Sequence, residues 1–478
     1  MFKKVLFCIP PYPSKYGLPA HPHTGIGYLC QTLNDNGIET AIVDFRLGDG
    51  FEELHKRIKD FDPDLFGVTM MTYYHNLGYD IVKELKQYNI PIVVGGPHVS
   101  TLKEQVLLEC GVDFGFKMEA ELALLDFCSD KPLESTPGLI YRKNGEILQN
   151  APQVIRDLNN IPFPKYAGLD LNRYTRKRLA VITSRGCPCL CTFCPIATVM
   201  GRQYRFRSAE NVFLELEYWH KKGYRDFDFQ DDNFTVDKTR VYAICDLIEK
   251  NGFNDLFMQC GNGIRADLAT KELLERMKGI GFRSIAFGVE SANPAVLKMV
   301  KKGETIEEID NAVRIASEVG LDISLFYIVG LPGETKETLK DSINFALKYP
   351  VTTATFYNLI PFPGTELFEW VKNNNYFLIQ PKDYLNTVAH MEFTPVFETP
   401  DFSAKERKEA LVMCARLNDV IKRRDMAKKL GNSFLAKIAA WLVYGTILNK
   451  ILFALIKIEW IKRSANFLLL KLKLRFNL

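Results

Sequence analysis

Two tracts of the chain alternate short β-branched runs with helical stretches. This alternation constrains the fold most, because parallel strands must be joined by crossovers of a dozen or more residues, and helices are the usual crossovers. In the first tract the candidate strands are 4–9, 39–45, 65–70, 92–95 and 112–116, with helical stretches near 25–36, 51–59, 78–87 and 101–109. The pattern predicts a five-stranded doubly wound, Rossmann-like domain over residues 1–130 that takes its ligand at the carboxyl ends of the strands. Those ends carry PPYP after the first strand, TYYHN after the third and GGPHVS after the fourth.

A second series of six runs begins at LAVITSRG, from residue 179, and ends at TATFYNLIP, residues 353–361. It predicts a partial (β/α)6 barrel over 179–370, whose chemistry belongs on the loops after the strands. The bridge between the tracts, 131–178, holds a hairpin signal at Asn144-Gly145 and prolines at 152, 162 and 164. Residues 371–424 read as a helical extension, with Ser403 and Glu406 spaced as a capping box.

The 478 residues and their 47% hydrophobic and 25% charged content exclude a disordered, collagenous or small disulfide-stapled protein. The net charge of +4 is uneven: residues 421–478 carry 13 Lys and Arg against Asp425 and Glu459. Residues 425–478 are therefore a basic, apolar tail. Its longest uncharged run, 438–449, has 12 residues, fewer than the ~20 needed to span a bilayer. It suits a helix lying on an anionic membrane surface, and equally helices that cap the barrel or pair with a second subunit. The short apolar run at the N-terminus meets two prolines and no small-residue cleavage site, so it reads as a strand and the chain is expected in the cytoplasm, with peripheral attachment to the inner membrane face as a further expectation.

Four of the eleven cysteines fall between Cys187 and Cys194. Cys187, Cys191 and Cys194 form C-x3-C-x2-C just after a predicted strand. Three thiolates on one tight loop can hold three irons of a cubane cluster and leave the fourth iron open. A closed zinc site wants four ligands, and no second pair lies nearby. Cys189 has cysteines two residues away on either side, which crowds ligation by all four.

This loop resembles the signature of the radical SAM enzymes, in which the open iron chelates S-adenosylmethionine (SAM) and an electron from the 4Fe-4S cluster cleaves it to a 5′-deoxyadenosyl radical. The resemblance implies that Phe193 lies against the adenine and that Asp231 and Asp232 in QDDNFT orient the methionyl amine. It places Glu290 and Ser291 at the ribose or carboxylate, and Ile328 and Gly330 in YIVGLPGET at the adenine. Across residues 1–370, the succession IVVGGPHVS, VDFGFKMEAE, GLIYRKNGEI, IPFP and RGCP is similar to the cobalamin-binding, class B-type methyltransferase and cyclase subfamily. Thr69, Thr72, Gly95, Gly96, His98 and Glu119 are then the corrinoid contacts. The D-x-H-x-x-G frame is absent at His21 and His23, so the resemblance implies a cobalt without a histidine lower ligand. Two departures stand out: Met118 and Ala120 replace glycines around Glu119, and Cys189 replaces an aromatic residue.

These implications make the chain an oxygen-sensitive radical SAM C-methyltransferase acting on a small hydrophobic substrate such as an isoprenoid, lipid or tetrapyrrole. Its one-electron donor is expected to be of flavodoxin or ferredoxin type. Two rivals remain: a cyclase or oxidoreductase that uses the same cofactors without net methyl transfer, and a non-catalytic corrinoid sensor. A nucleic-acid substrate is disfavoured because no RNA-binding module is apparent.

Overall fold

The structure, a computed structural model, describes residues 1–12 and 19–434 together with Lys437 and Ala440. The basic tail beyond residue 434 otherwise lies outside the described residues, as does 13–18. No described helix is long and apolar enough to cross a membrane.

The first sheet is built from β1 (Lys4–Ile9), β2 (Glu39–Asp44), β3 (Leu65–Thr69), β4 (Ile92–Gly95), β5 (Phe114–Phe116), β6 (Leu139–Lys143) and β7 (Glu146–Gln149), in the order β2-β1-β3-β4-β5-β6-β7. Strands β1 to β5 are parallel, and helices cover both faces, so Val5 to Ile9 and Leu65 to Thr69 are buried residue after residue. The sheet has seven strands where the sequence predicts five. The hairpin of the bridge, with Asn144 and Gly145 at φ of 52° and 85°, adds β6 antiparallel to β5 and β7 antiparallel to β6. Strand β5 is only three residues long, and the hairpin covers an edge whose unpaired backbone groups would otherwise face water.

The second sheet comprises β8 (Arg178–Val181), β11 (Asp226–Phe229), β12 (Phe257–Ile264), β13 (Phe282–Glu290), β14 (Asp322–Val329) and β15 (Thr353–Asn358). All pairs are parallel, neighbours in sequence are neighbours in space, and β8 and β15 are the two edges of an open barrel. Along β14, Ile323, Leu325, Tyr327 and Val329 are buried in the core formed with the outer helices. The alternate residues Ser324, Phe326 and Ile328 therefore face the barrel interior. Between β8 and β11 a two-residue ribbon, β9 (Ser184–Arg185) with β10 (Arg205–Phe206), closes the neck of the cysteine loop.

The helix Ala404–Lys429 starts at a capping box formed by Ser403 and Glu406. It packs against β15, and the Asn418 side chain accepts the Ala354 N–H at 3.0 Å, satisfying a donor on that edge strand.

Candidate active site between the facing ends of two parallel sheets

The carboxyl ends of the two sheets face each other. Gln230, just after β11, bonds His21 from the loop after β1 at 3.3 Å. His390 packs edge-on against Tyr73, beyond β3, and at a tilt against Tyr357 of β15.

The cysteine loop occupies this junction. Gly186 has φ of 83°, and a Cβ there would strike the Gln203 carbonyl, so only glycine closes the neck. The loop is tied to the barrel by the Thr192 N–H donating to Val300 O at 3.0 Å and the Leu367 N–H donating to Thr192 O at 2.9 Å. Cys187, Cys189, Cys191 and Cys194 are half-buried free thiols. Sulfurs on a single zinc would lie about 3.8 Å apart. Among the described residues, the group of three such ligand atoms within 4.8 Å of one another is elsewhere, at His75, His98 and Glu109. Cys189 is engaged differently: Arg265 Nη1 donates to its Sγ at 2.9 Å. Its pKa falls to about 6 through a hydrogen bond from the Cys187 thiol and the nearby arginine. Burial pushes Cys191 up to about 11.

The residues expected around SAM are partly brought together. Phe193 and Ile328 pack on one apolar cluster with Val296, Val300 and Leu331. Asp232 accepts the Gly186 N–H at 2.8 Å, and burial raises its pKa to about 6. Glu290, at φ of 61° on a bulge in β13, accepts from Lys302 Nζ at 3.0 Å. Two further expected residues are engaged by the protein's own groups. Asp231 is fully buried and spent on the fold, accepting the backbone N–H groups of Thr183 and Ser184 and the Thr183 hydroxyl. Ser291 is likewise buried, its hydroxyl accepting the Asn293 N–H at 3.2 Å before the helix Pro294–Met299.

Gly330, at φ of 100°, leaves room for the Arg407 guanidinium, and its N–H donates to Glu334 at 2.6 Å. Glu334 is fully buried with one oxygen unpartnered, and desolvation lifts its pKa from 4.5 to about 8 although Gly330 and Arg407 oppose the rise. Its folded pKa is above the unfolded value, so the native state keeps the proton longer than the unfolded chain does. Stability assigned to this group is full below pH 4.5 and declines as pH rises toward about 8. Glu334→Gln is expected to flatten that part of the curve, which denaturant titrations across the range will measure.

A mostly apolar cavity at the ends of β1, β3 and β4 is lined by Thr69, Gly95 and Gly96 on one side. Ile182, Val199 and Met200 of the barrel domain line the other. A Cβ on Gly95 would meet only Phe116 O at 3.8 Å, so the cradle is open in that direction. These features fit a bulky corrinoid or its nucleotide tail. Glu119 also lines the cavity, but it is held by Arg185 and Arg205. Thr72 and His98 do not line it. His98 is completely buried on the sheet's other side, stacked on His75 at 4.2 Å and bonded to the Tyr79 hydroxyl at 2.9 Å. That hydroxyl donates to Glu109 at 2.7 Å, so the His75, His98 and Glu109 trio is knitted by tyrosine rather than left waiting for an ion.

The sequence profile of the Radical SAM superfamily matches residues 181–346, and that of the B12-binding domain matches residues 15–127. An uncharacterised methyltransferase of Pyrococcus horikoshii is 31% identical over 424 residues, covering 85% of this chain and 90% of that one. The chain belongs to the cobalamin-binding radical SAM family. The anaerobic magnesium-protoporphyrin IX monomethyl ester cyclase of Cereibacter sphaeroides is 26% identical over 74% of this chain, which spans 60% of that relative's length. The fold matches the cobalamin-dependent radical enzyme OxsB, solved with aqua-cobalamin and SAM, at a TM-score of 0.74 and 18% identity over 98% of this chain and 72% of that one.

This radical SAM enzyme also carries site residues that sequence reasoning missed. Lys302 is half-buried between Glu290 and Glu304, at 3.0 and 3.3 Å. Arg265 is gripped by Asp267 and the Gly303 carbonyl. Asn233 is buried with both amide atoms unpartnered, in a cavity that Cys189 and Arg265 also line. Asn233 sits within QDDNFT beside the two aspartates that drew notice, whereas Lys302 and Arg265 belong to no recognisable motif.

Proposed function

We propose that this cobalamin-dependent radical SAM enzyme methylates an unactivated carbon of a hydrophobic substrate. One observation carries the reading: the cavity fitting a corrinoid shares a wall with the cysteine loop, through Val199 and Met200. When bound, the cluster with SAM supplies a carbon-centred radical and the cobalamin supplies a methyl group. The protein's part is to hold, orient and exclude water. Cys187, Cys191 and Cys194 hold the cluster, Asp232 offers a carboxylate to the amine of SAM, and Glu290 offers one to its ribose. Phe193 and Ile328 form an apolar wall for its adenine. Thr69, Gly95 and Gly96 make room for the corrinoid. His23 lines that cavity, but its Nδ1 accepts the Ile26 N–H at 3.2 Å, which supports a cobalt without a histidine beneath it. An external carrier of flavodoxin or ferredoxin type supplies the electron.

The apolar lining and the ring set of Tyr12, Tyr73, Phe326, Tyr357 and His390 between the sheets favour a hydrophobic substrate. Burial holds His390 below its ordinary pKa, so it adds no charge there. Similarity to a named methyltransferase supports methylation, and similarity to a ring-forming cyclase keeps that chemistry as the second reading. The test is anaerobic turnover with methyl-deuterated SAM on magnesium-protoporphyrin IX monomethyl ester and on bacterial lipid extract. A product carrying the labelled methyl is expected. A product that has lost hydrogens and gained no label supports cyclisation instead. Absence of 5′-deoxyadenosine under strong reduction points to a corrinoid sensor.

A further inference from the structure

The cysteine loop is anchored at its neck to the other domain. Arg185 and Arg205 are cross-strand partners in the β9–β10 ribbon that brackets residues 186–204. Both reach the same carboxylate: Arg185 Nη1 donates to Glu119 at 2.8 Å and Arg205 Nη1 donates to Glu119 at 2.5 Å. Arg185 also donates to Glu121 at 2.6 Å and lies over the Tyr28 ring at 5.0 Å. Arg205 donates to the carbonyls of Ile155 and Met200 at 2.8 and 3.0 Å, and the Ile155 N–H donates to Glu119 at 2.9 Å. All four charged side chains are at most 7% exposed, and two cations balance two anions.

Such a set is rigid for a physical reason. Any rotation of the loop against the first domain separates buried charges, and an unpaired buried charge is strongly disfavoured. Bidentate-capable guanidinium groups also fix direction as well as distance. Glu119, Glu121 and Arg185 line the corrinoid cavity themselves, beside Met118 and Met200. The unusual FKMEAE turn belongs to the same device. Met118 sits at φ of 62°, its N–H donates to Ser100 at 2.8 Å, and its terminal methyl would lie 3.5 Å from a Cβ on Gly201 in the loop.

We propose that Glu119, Arg185 and Arg205 are positioning residues that set the separation between the iron–sulfur cluster and the corrinoid. The proposal rests on the reading that both cofactors bind at the sites described above. A radical relay needs reacting atoms held within a fraction of an ångström of their productive places, and small misplacements are costly. The network supplies that constraint without touching either reacting centre.

The test uses the full chain, reconstituted anaerobically with cluster and cob(II)alamin. The readout is the magnetic interaction between the reduced cluster and cob(II)alamin in paramagnetic resonance spectra, which falls with the cube of their separation. The wild type is expected to show one broadened cob(II)alamin signal. In Arg205→Gln and, separately, in Arg205→Lys, that broadening is expected to be lost in part, with a second, sharper population appearing. Iron and corrinoid contents are expected to stay at wild-type stoichiometry, and 5′-deoxyadenosine is still formed. Wild-type spectra in both variants at full loading overturn the proposal. Loss of corrinoid from both variants also overturns it, by making these residues ligand contacts rather than positioners. A wild type that takes up no cluster or no corrinoid instead refutes the functional reading on which the proposal stands.

Discussion

Cys191→Ala is expected to abolish 5′-deoxyadenosine formation and to leave the protein unable to retain a full cluster, while corrinoid uptake stays at the wild-type level. The substitution removes one of three thiolates, and two remaining ligands on a mobile pair of irons do not close a cubane. Losing an outer partner of a metal site costs 10- to 100-fold, so loss of a direct ligand is expected to exceed about 100-fold in SAM cleavage. Cys189 does not substitute for it, because its sulfur is engaged by Arg265 at 2.9 Å. Cys189→Ala is therefore the informative partner variant, expected to keep its iron, its sulfide and most of its cleavage activity. Iron and sulfide assays with chromatographic detection of 5′-deoxyadenosine distinguish the two. If Cys189→Ala loses the cluster and Cys191→Ala keeps it, the ligand assignment is overturned.

The contrast between those two cysteines shows what the sequence makes legible. Spacing alone singles out Cys187, Cys191 and Cys194, because three thiolates on a short loop are a local pattern. The partner of Cys189 is Arg265, 76 residues away, and no local rule finds it. The strands were legible for the same reason: runs such as Val5 to Ile9 are continuous and buried on both faces. The hairpin at Asn144-Gly145 was legible as a turn, but nothing in its own residues says that it pairs with Phe114–Phe116. Asp231 and Asp232 illustrate the limit at single-residue scale. Adjacent residues leaving a strand point to opposite sides, so one carboxylate reaches the cysteine loop and the other satisfies the Thr183 and Ser184 amides. Which does which depends on register against the neighbouring strand. His98 lies away from that cavity for a similar reason. The glycines of GGPH face the cavity, and the helix that begins at Pro97 carries the histidine to the other side.

That geometry makes Gly95 the sharpest probe of the corrinoid site. Gly95→Leu is expected to fold normally. The residue is not among those with positive φ, and its new Cβ would meet only Phe116 O at 3.8 Å. Leucine costs nothing in backbone strain there, and its branches enter a cavity whose walls include Phe7, Phe116 and Leu124. Filling an apolar cavity tends to hold or raise stability. The corrinoid meets the same branches as an obstruction. Overpacking of about 3 kcal/mol corresponds to roughly 100-fold weaker corrinoid binding. Cluster content and 5′-deoxyadenosine formation are expected to persist, so radical generation becomes uncoupled from methyl transfer. Gly96→Ala gives the opposite pattern, because φ there is 98° and a Cβ would lie 2.8 Å from Met70 O. It is expected to lower thermal stability before it affects ligand binding. Corrinoid stoichiometry measured beside melting temperature separates the two variants. A Gly95→Leu protein that takes up cobalamin like the wild type shows that the corrinoid lodges elsewhere, whereas loss of binding without loss of stability fixes it against the carboxyl end of β4.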